Sequence, residues 1–529
     1  WIPSDVLGAF VEDKLGSAAR IEYVREGNTY SITIENEDSP ELAVTYAVPG
    51  AFDGREILRH ALNGTDPYKS KAINVGGKEI SVPDLDAIRS GRAKVEQMRR
   101  EFTGWVKTTT RTVNVGGQAV PVQDHVARRY NDVNNSIVPP SYDGSYLVLP
   151  GVSKHVYRFP HRLGVVARIL QEQYCVMAHG VGRGKTLSQI VACMELRRLC
   201  LSKKPMIGVQ RATIGQFAAS FRAAYPDAHI LVATRKTFAR RFRRRLMAQI
   251  AMGDYDAVIV TQPQFDRLDD SPDSIRAYFY AKMDELTAAI RRLGGRRDPT
   301  VKELVKARAR LAARLEKRLQ QLAKRQDQTV WFEELGVDFL FIDEAHAYKR
   351  TPIVTRKVRV KGIPTGDSAR AMGLEIKARR IQNARQGRGV VLATGTPITN
   401  TIAEAYVMLN LAAPLVLREY QITNFDEWAD TFGKMRTEME FTHFQKWRLV
   451  SRFNRFTNGP ELLNMARQAF DVKIGNKELG LKVPELRGGA PESVIVPATP
   501  TDARINAWIG NIADAYESSS NKREIGGVP

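Results

Sequence analysis

Between positions 174 and 396, six short apolar runs alternate with helix-length stretches, and this narrows the possible folds more than any other property of the chain. The runs are YCVMAH (174–179), PMIGVQ (205–210), HILVAT (229–234), AVIVTQ (257–262), FLFIDEA (339–345) and GVVLATGT (389–396). None keeps the strict apolar–polar alternation of a sheet with one wet face. Strands covered by helices on both faces lose that alternation, so a doubly wound, mostly parallel α/β sheet is expected. Ligands of such sheets bind beyond the carboxyl ends of the strands.

The 529 residues leave room for two to four units at roughly 100–200 residues each. Residues 1–150 read as a mixed α/β accessory region, with YSITIE (30–35) and LAVTYAV (42–48) as half-buried strands. Two phrases there echo one another, INVGGKEISVPD (73–84) and VNVGGQAVPVQD (113–124), each with Gly-Gly between apolar alternations, the signal of a two-residue hairpin. Residues 151–480 form the expected sheet lobe, and 481–529 an extension beyond it. Between the fourth and fifth runs, Ile275, Phe279, Met283, Leu286, Ile290 and Leu293 recur at helical spacing up to Gly294-Gly295. A capping-box pattern at Thr300–Glu303 then opens a seam of Leu304, Leu311, Leu315 and Leu322, giving an antiparallel helical hairpin over 271–327.

Charge is uneven. The net of +21 divides into −3 for residues 1–150 (17 basic, 20 acidic) and +24 for the rest (62 basic, 38 acidic). A basic body points to a polyanion, most simply nucleic acid. Seven of the eleven residues Arg235–Arg245 are basic, and Arg235, Lys236, Arg240, Arg241, Arg243 and Arg244 are candidates for phosphate contact without sequence readout. Three cysteines form no paired or metal-ligand spacing, which favours a reducing, cytoplasmic setting and disfavours zinc. No apolar run is long enough to span a membrane. No Asn-Pro-Pro-aromatic tetrad supports a methyltransferase within this chain.

Three elements carry chemistry. His179-Gly-Val-Gly-Arg-Gly-Lys-Thr186 follows the first run and opens a helix. Gly182, Arg183 and Gly184 can bring backbone N–H groups to phosphates; Lys185 can reach the β- and γ-phosphates, and the Thr186 hydroxyl can ligate Mg²⁺. The strict pattern would have Gly in place of His179. In Asp343-Glu-Ala-His346, Asp343 would hold Mg²⁺ through water and Glu344 would orient and deprotonate an attacking water. Thr394-Gly-Thr396 ends the last run, where its hydroxyls can sense the γ-phosphate and couple it to a nucleic-acid surface.

GVGRGKT, DEAH and TGTP resemble motifs I, II and III of superfamily 2 helicases and translocases, and the phrases after TGTP, Ile398–Asn410 and Asn424-Phe-Asp-Glu-Trp428, resemble the Swi/Snf-type branch. The chain is also similar to phage- and plasmid-borne methylase–helicase fusion proteins of the antirestriction (Dar) type. The phrases that carry this include Tyr142-Asp-Gly-Ser-Tyr, Lys204-Pro-Met-Ile, Glu334-Leu-Gly-Val-Asp338 and Gly362-Ile-Pro-Thr. The resemblance implies a RecA-like first lobe of an ATP- and Mg²⁺-dependent motor on double-stranded DNA, a DNA-dependent ATPase. It also implies a second lobe and a methyltransferase in a larger parent, with localisation in the bacterial cytoplasm or packaging in a virion.

Two departures qualify it. At the adenine-reading element the family favours Arg-Pro-His-Gln, where this chain has Phe159-Pro-His-Arg162, which leaves Arg162 at the nucleotide. After the second strand Val209-Gln-Arg-Ala212 replaces Val-Pro-Asn-His, so Arg211 stands where a DNA contact would be. Thr261 and Gln262, ending the fourth run, are placed where such lobes touch the tracked strand. The ends WIPSDVLGAF and SNKREIGGVP read as those of an internal fragment. Too few residues follow ~480 for a second lobe with its arginine finger, which is worth roughly 10³–10⁵ in rate. The isolated chain is therefore expected to bind ATP and hydrolyse it poorly. A competing expectation is a docking module that binds nucleotide without turnover, carried inside a virion.

Overall fold

The computed structural model describes residues 2–518 except 17–18, 25–28, 35–39, 76–77, 157–158, 293–298, 324–329, 352, 354, 356, 358–359, 365–367, 442–446 and 474–498. Its centre is one parallel sheet of seven strands: β1 (Tyr174–His179), β2 (Pro205–Val209), β3 (Ile230–Val232), β4 (Ala257–Thr261), β5 (Phe339–Ile342), β6 (Val390–Ala393) and β7 (Phe470–Lys473). The order across the sheet is β7-β1-β6-β5-β2-β4-β3. Every neighbouring pair is parallel.

The missing alternation in the sequence has a direct cause. Val176, Met206, Val258, Leu340 and Leu392 enter the core on one face, while Cys175, Met177, Ile207, Ile259, Phe341 and Val391 enter a second core on the other. Both faces are dry, so successive residues are apolar. β7 has no counterpart among the six runs: Phe-Asp-Val-Lys is short and half-polar, and its pairing with β1 makes it a strand.

The front region has its own core, in which Val6, Phe10, Ile57, Val95, Met98 and Trp105 meet. Both Gly-Gly phrases form hairpins, Ser70–Val75 with Lys78–Pro83 and Thr112–Val115 with Gln118–Pro121. At the second, Gly116 and Gly117 have φ of 61° and 89°, as a two-residue turn with primed twist requires. Strand Thr29–Ile34 forms as expected, but the expected strand at 42–48 is instead a helical turn, Glu41–Tyr46. Leu42 and Tyr46 face the core four residues apart, a helical spacing, and Gly54 permits the packing: a Cβ there would lie 2.0 Å from the Leu42 carbonyl oxygen.

The helical hairpin is present as helices Pro272–Arg292 and Pro299–Ala323. Ile275, Phe279, Met283 and Leu286 pack on Leu304, Leu311, Leu315 and Leu322, and Met372 and Ile376 of helix Ala369–Ala384 close the base. Leu293, Gly294-Gly295 and the side chains of the capping box at Thr300–Glu303 lie outside the described residues. Ion pairs fasten the base to the sheet lobe: Lys377 to Asp270 at 2.9 Å, Lys282 to Glu375 at 2.9 Å, and Arg318 to Asp269 at 3.6 Å. No described helix is long and apolar enough to cross a membrane.

Candidate nucleotide site

The three chemical motifs converge because β1, β6 and β5 are adjacent and each motif follows a carboxyl end. After β1 the chain turns through Gly180–Gly184 into helix Lys185–Arg198. Gly184, with φ of 79°, lies under the half-buried Arg162: its left-handed backbone favours glycine, and a Cβ there would have to displace the Arg162 guanidinium. Arg162 stacks over Phe159 at 4.7 Å, which places the element predicted to read the base against the phosphate loop. Arg183 is buried, its carbonyl 3.3 Å from His161 Nε2. Thr186 is half-buried at the first turn of the helix.

Lys185 is 8% exposed, and its Nζ donates to the carbonyls of His179 (3.0 Å) and Gly180 (3.4 Å), 3.8 Å from Glu344 Oε1. The ammonium is thus held at the loop mouth by groups that a phosphate can replace. His179, at the position where glycine is usual, is wholly buried and pairs with Asp471 of β7 at 2.8 Å. Burial pushes the Asp471 carboxyl up, but the His179 hydrogen bond and nearby positive charge outweigh it and hold the group below its ordinary value.

Just past β5, Asp343 accepts from Gln189 Nε2 at 3.0 Å. Gln189 lies four residues after Lys185 on one helix, so both side chains face the same cleft. Burial is the largest influence on the Asp343 carboxyl and raises its pKa above the usual value, with the Glu344 charge adding to the rise. Glu344 itself has φ of 49°, a left-handed backbone costing a non-glycine residue roughly 1–2 kcal/mol. His346 lies 3.1 Å from Glu344 Oε2 and 3.3 Å from Thr394 Oγ1, bridging the second motif to the third. Thr394 is buried and accepts from the Thr396 amide at 3.1 Å. A Cβ on Gly395 would stand 3.7 Å from Lys185 Nζ, so the third motif lies directly over the first.

This arrangement suits a magnesium nucleotide. Backbone donors of the loop and Lys185 are groups that could take phosphates, and the Thr186 hydroxyl and Asp343 carboxylate are hard oxygen ligands suited to Mg²⁺. The remaining candidates are placed differently. Arg211, Arg235, Lys236, Arg240, Arg241 and Arg244 are exposed near the carboxyl ends of β2 and β3. Arg243 is half-buried over Phe238 at 5.0 Å. Since β3 is five strands from β1, the basic stretch that follows it is roughly 24 Å from the phosphate loop, while Arg211, after β2, is three strands away. Thr261 and Gln262 are not on an open surface: they are 7% and 4% exposed. Thr261 donates to Gln264 Oε1, and Gln262 Nε2 donates to the carbonyls of Asp343 (2.7 Å) and Glu344 (3.3 Å). A side chain at a strand's carboxyl end can turn inward as readily as outward, and here both are engaged within the protein. Sequence reasoning also missed Gln189, Asp471 and Arg370; only Gln189 carries a signal, its helical spacing from Lys185.

A parallel sheet with these three motifs on adjoining strands is a RecA-like P-loop lobe. The chain belongs to the family described as a probable helicase domain, whose model matches residues 168–474, more than half of its length. Residues 1–136 match a domain family of unknown function. Over 408 residues, 69% of the chain, it is 23% identical to Defense against restriction protein B of Escherichia phage P1, and it spans 17% of that protein's length. Among solved structures, the Sulfolobus solfataricus SWI2/SNF2 ATPase core in complex with dsDNA aligns over 72% of this chain and 57% of its own, at 13% identity and a TM-score of 0.34. A score that low adds nothing to the fold established by the strand order.

Proposed function

We propose that the chain is the ATP-binding lobe of a Mg²⁺-ATP-dependent translocase or helicase on double-stranded DNA, within a larger phage or plasmid antirestriction protein of the bacterial cytoplasm. The observation that carries this is the cleft in which Lys185, Glu344 and Gly395 meet, with Thr186 next to Lys185 at the helix start and Asp343 next to Glu344. Lys185 and the loop amides would bind the phosphates, and Thr186 and Asp343 would hold the metal, which neutralises phosphate charge when bound. Glu344 would orient the attacking water and take its proton, and His346 would report its position to Thr394. Residues 1–150 are then an accessory region, 151–480 the motor lobe and 481–529 an extension. A second RecA-like lobe and a methyltransferase would lie elsewhere in the parent. The exposed basic edge at β3 fits backbone contact with duplex DNA.

ATPase assays of the full-length parent protein, with and without duplex DNA, test this reading. Turnover stimulated by DNA and lost in Lys185→Ala and Glu344→Gln is expected. Turnover indifferent to both substitutions overturns it. A second reading, nucleotide-dependent docking without turnover, is motivated by Arg162 in place of the family's glutamine. Tight Mg-ATP binding with no hydrolysis by the parent protein would favour it.

A further inference from the structure

The strained turn that carries Glu344 is held from behind by a cluster, with Gln262 and Tyr348 buried and Arg370 and Asp266 half-buried, to which none of the three motifs contributes its reactive groups. Gln262, at the end of β4, donates one amide hydrogen-bond fork to the carbonyls of both Asp343 and Glu344. Its own carbonyl oxygen accepts from Arg370 Nη2 at 2.7 Å. Arg370 Nε is 2.9 Å from Asp266 Oδ2, and the guanidinium stacks on Tyr348 at 4.7 Å. Tyr348 closes the turn after Glu344, is fully buried, and donates its hydroxyl to Asp266 Oδ1 at 3.0 Å. One guanidinium therefore grips the turn on both sides of Glu344, through Gln262 before it and Tyr348 after it.

A left-handed glutamate persists only where its surroundings over-determine it. Free of the clamp, the backbone at 344 would relax to an ordinary conformation and turn the carboxylate away from Lys185. Neither Gln262 nor Arg370 is among the groups that would touch nucleotide or metal. Arg370 is also fixed from its own side. Its helix, Ala369–Ala384, is anchored by Lys377 to Asp270 and by Glu375 to Lys282 and Tyr278 of the helical hairpin.

We propose that Arg370 is a positioning residue for hydrolysis: acting through Gln262 and Tyr348, it sets the backbone of Glu344 and so the direction of the water-orienting carboxylate. This rests on the ATPase reading above. It also joins the hairpin to the nucleotide site through one rigid helix.

The full chain is compared with Arg370→Met and Arg370→Lys; the lysine keeps charge beside Asp266 but cannot form the fork, and it stands in should the methionine variant not fold. Both are expected to lower kcat about a hundredfold, the scale of a displaced catalytic group, while the Kd for Mg-ATP stays within about twofold. In nucleotide-free protein, amide hydrogen exchange over 343–348 should accelerate while that of 369–384 does not. Unchanged exchange at 343–348 overturns the proposal, as does an unchanged kcat, or a joint loss of affinity and turnover with faster exchange throughout the lobe. If the wild-type chain neither binds nor hydrolyses Mg-ATP, the ATPase reading fails by itself. The exchange measurement still decides whether Arg370 holds the turn, and it decides alone if turnover is too slow to measure.

Discussion

The two halves of the sheet's carboxyl edge use charge in opposite ways. At β1, β5 and β6 the charged groups are few, largely buried and held by named partners: Lys185 on two carbonyls, Asp343 on Gln189, His179 on Asp471. At β3 they are many, exposed and of one sign. The first arrangement fixes individual side chains through directed contacts, as a reacting centre requires. The second fixes only a field, which suffices to hold a phosphate backbone without reading sequence. The motif cleft and the exposed basic stretch after β3 are thus about five strand widths apart.

Substitutions should fall on one side of that division or the other. The largest effect is expected from Glu344→Gln, which should abolish measurable turnover while retaining Mg-ATP binding; equal loss of both, by nucleotide titration, would blur the division. Replacing Arg235, Lys236, Arg241 and Arg244 together by Ala should weaken duplex DNA binding severalfold to orders of magnitude at low salt and flatten its dependence on log salt by up to about four units, one per contact. ATP affinity should not move. An unaltered salt slope would remove the basic edge from the DNA surface.

Stability effects come next. Lys377→Met leaves Asp270 buried without its partner, and a loss of about 3–5 kcal/mol is expected in denaturant titration. Asp343→Asn should act in the other direction. Burial raises the Asp343 pKa, so its ionised form costs folding energy at neutral pH, and that cost fades as pH falls through the raised value. The asparagine variant should therefore gain a degree or two of Tm at pH 7, an advantage that shrinks in acid, while its Mg²⁺ dependence is lost. A lower Tm at pH 7 would show that the carboxylate is better paired than its burial implies.

How far the sequence reached follows the same physics. The strands, the phosphate loop and the two-residue hairpins are dictated by local patterns, namely dry apolar runs and glycines at positive φ. β7 and the helical turn at Glu41–Tyr46 are not local: one is a strand because β1 is beside it, the other a helix because Gly54 lets it approach. The inward engagement of Gln262 involves a helix over a hundred residues later, with Arg370 and Gln262 separated by 108 positions. A motif shows which side chains are available at a strand end. Only the rest of the fold shows which way they turn.

The pairing of His179 with Asp471 also sets an order of events during synthesis. The phosphate loop is made early, but the strand that flanks it and the carboxylate that seats its first residue are translated 292 residues later. At about 5–20 residues per second, that interval lasts on the order of 15–60 s. Until residue 473 has cleared the ribosome, the nascent lobe carries a phosphate loop with one wall missing. The loop therefore gains its full set of side-chain partners only once the sheet has closed.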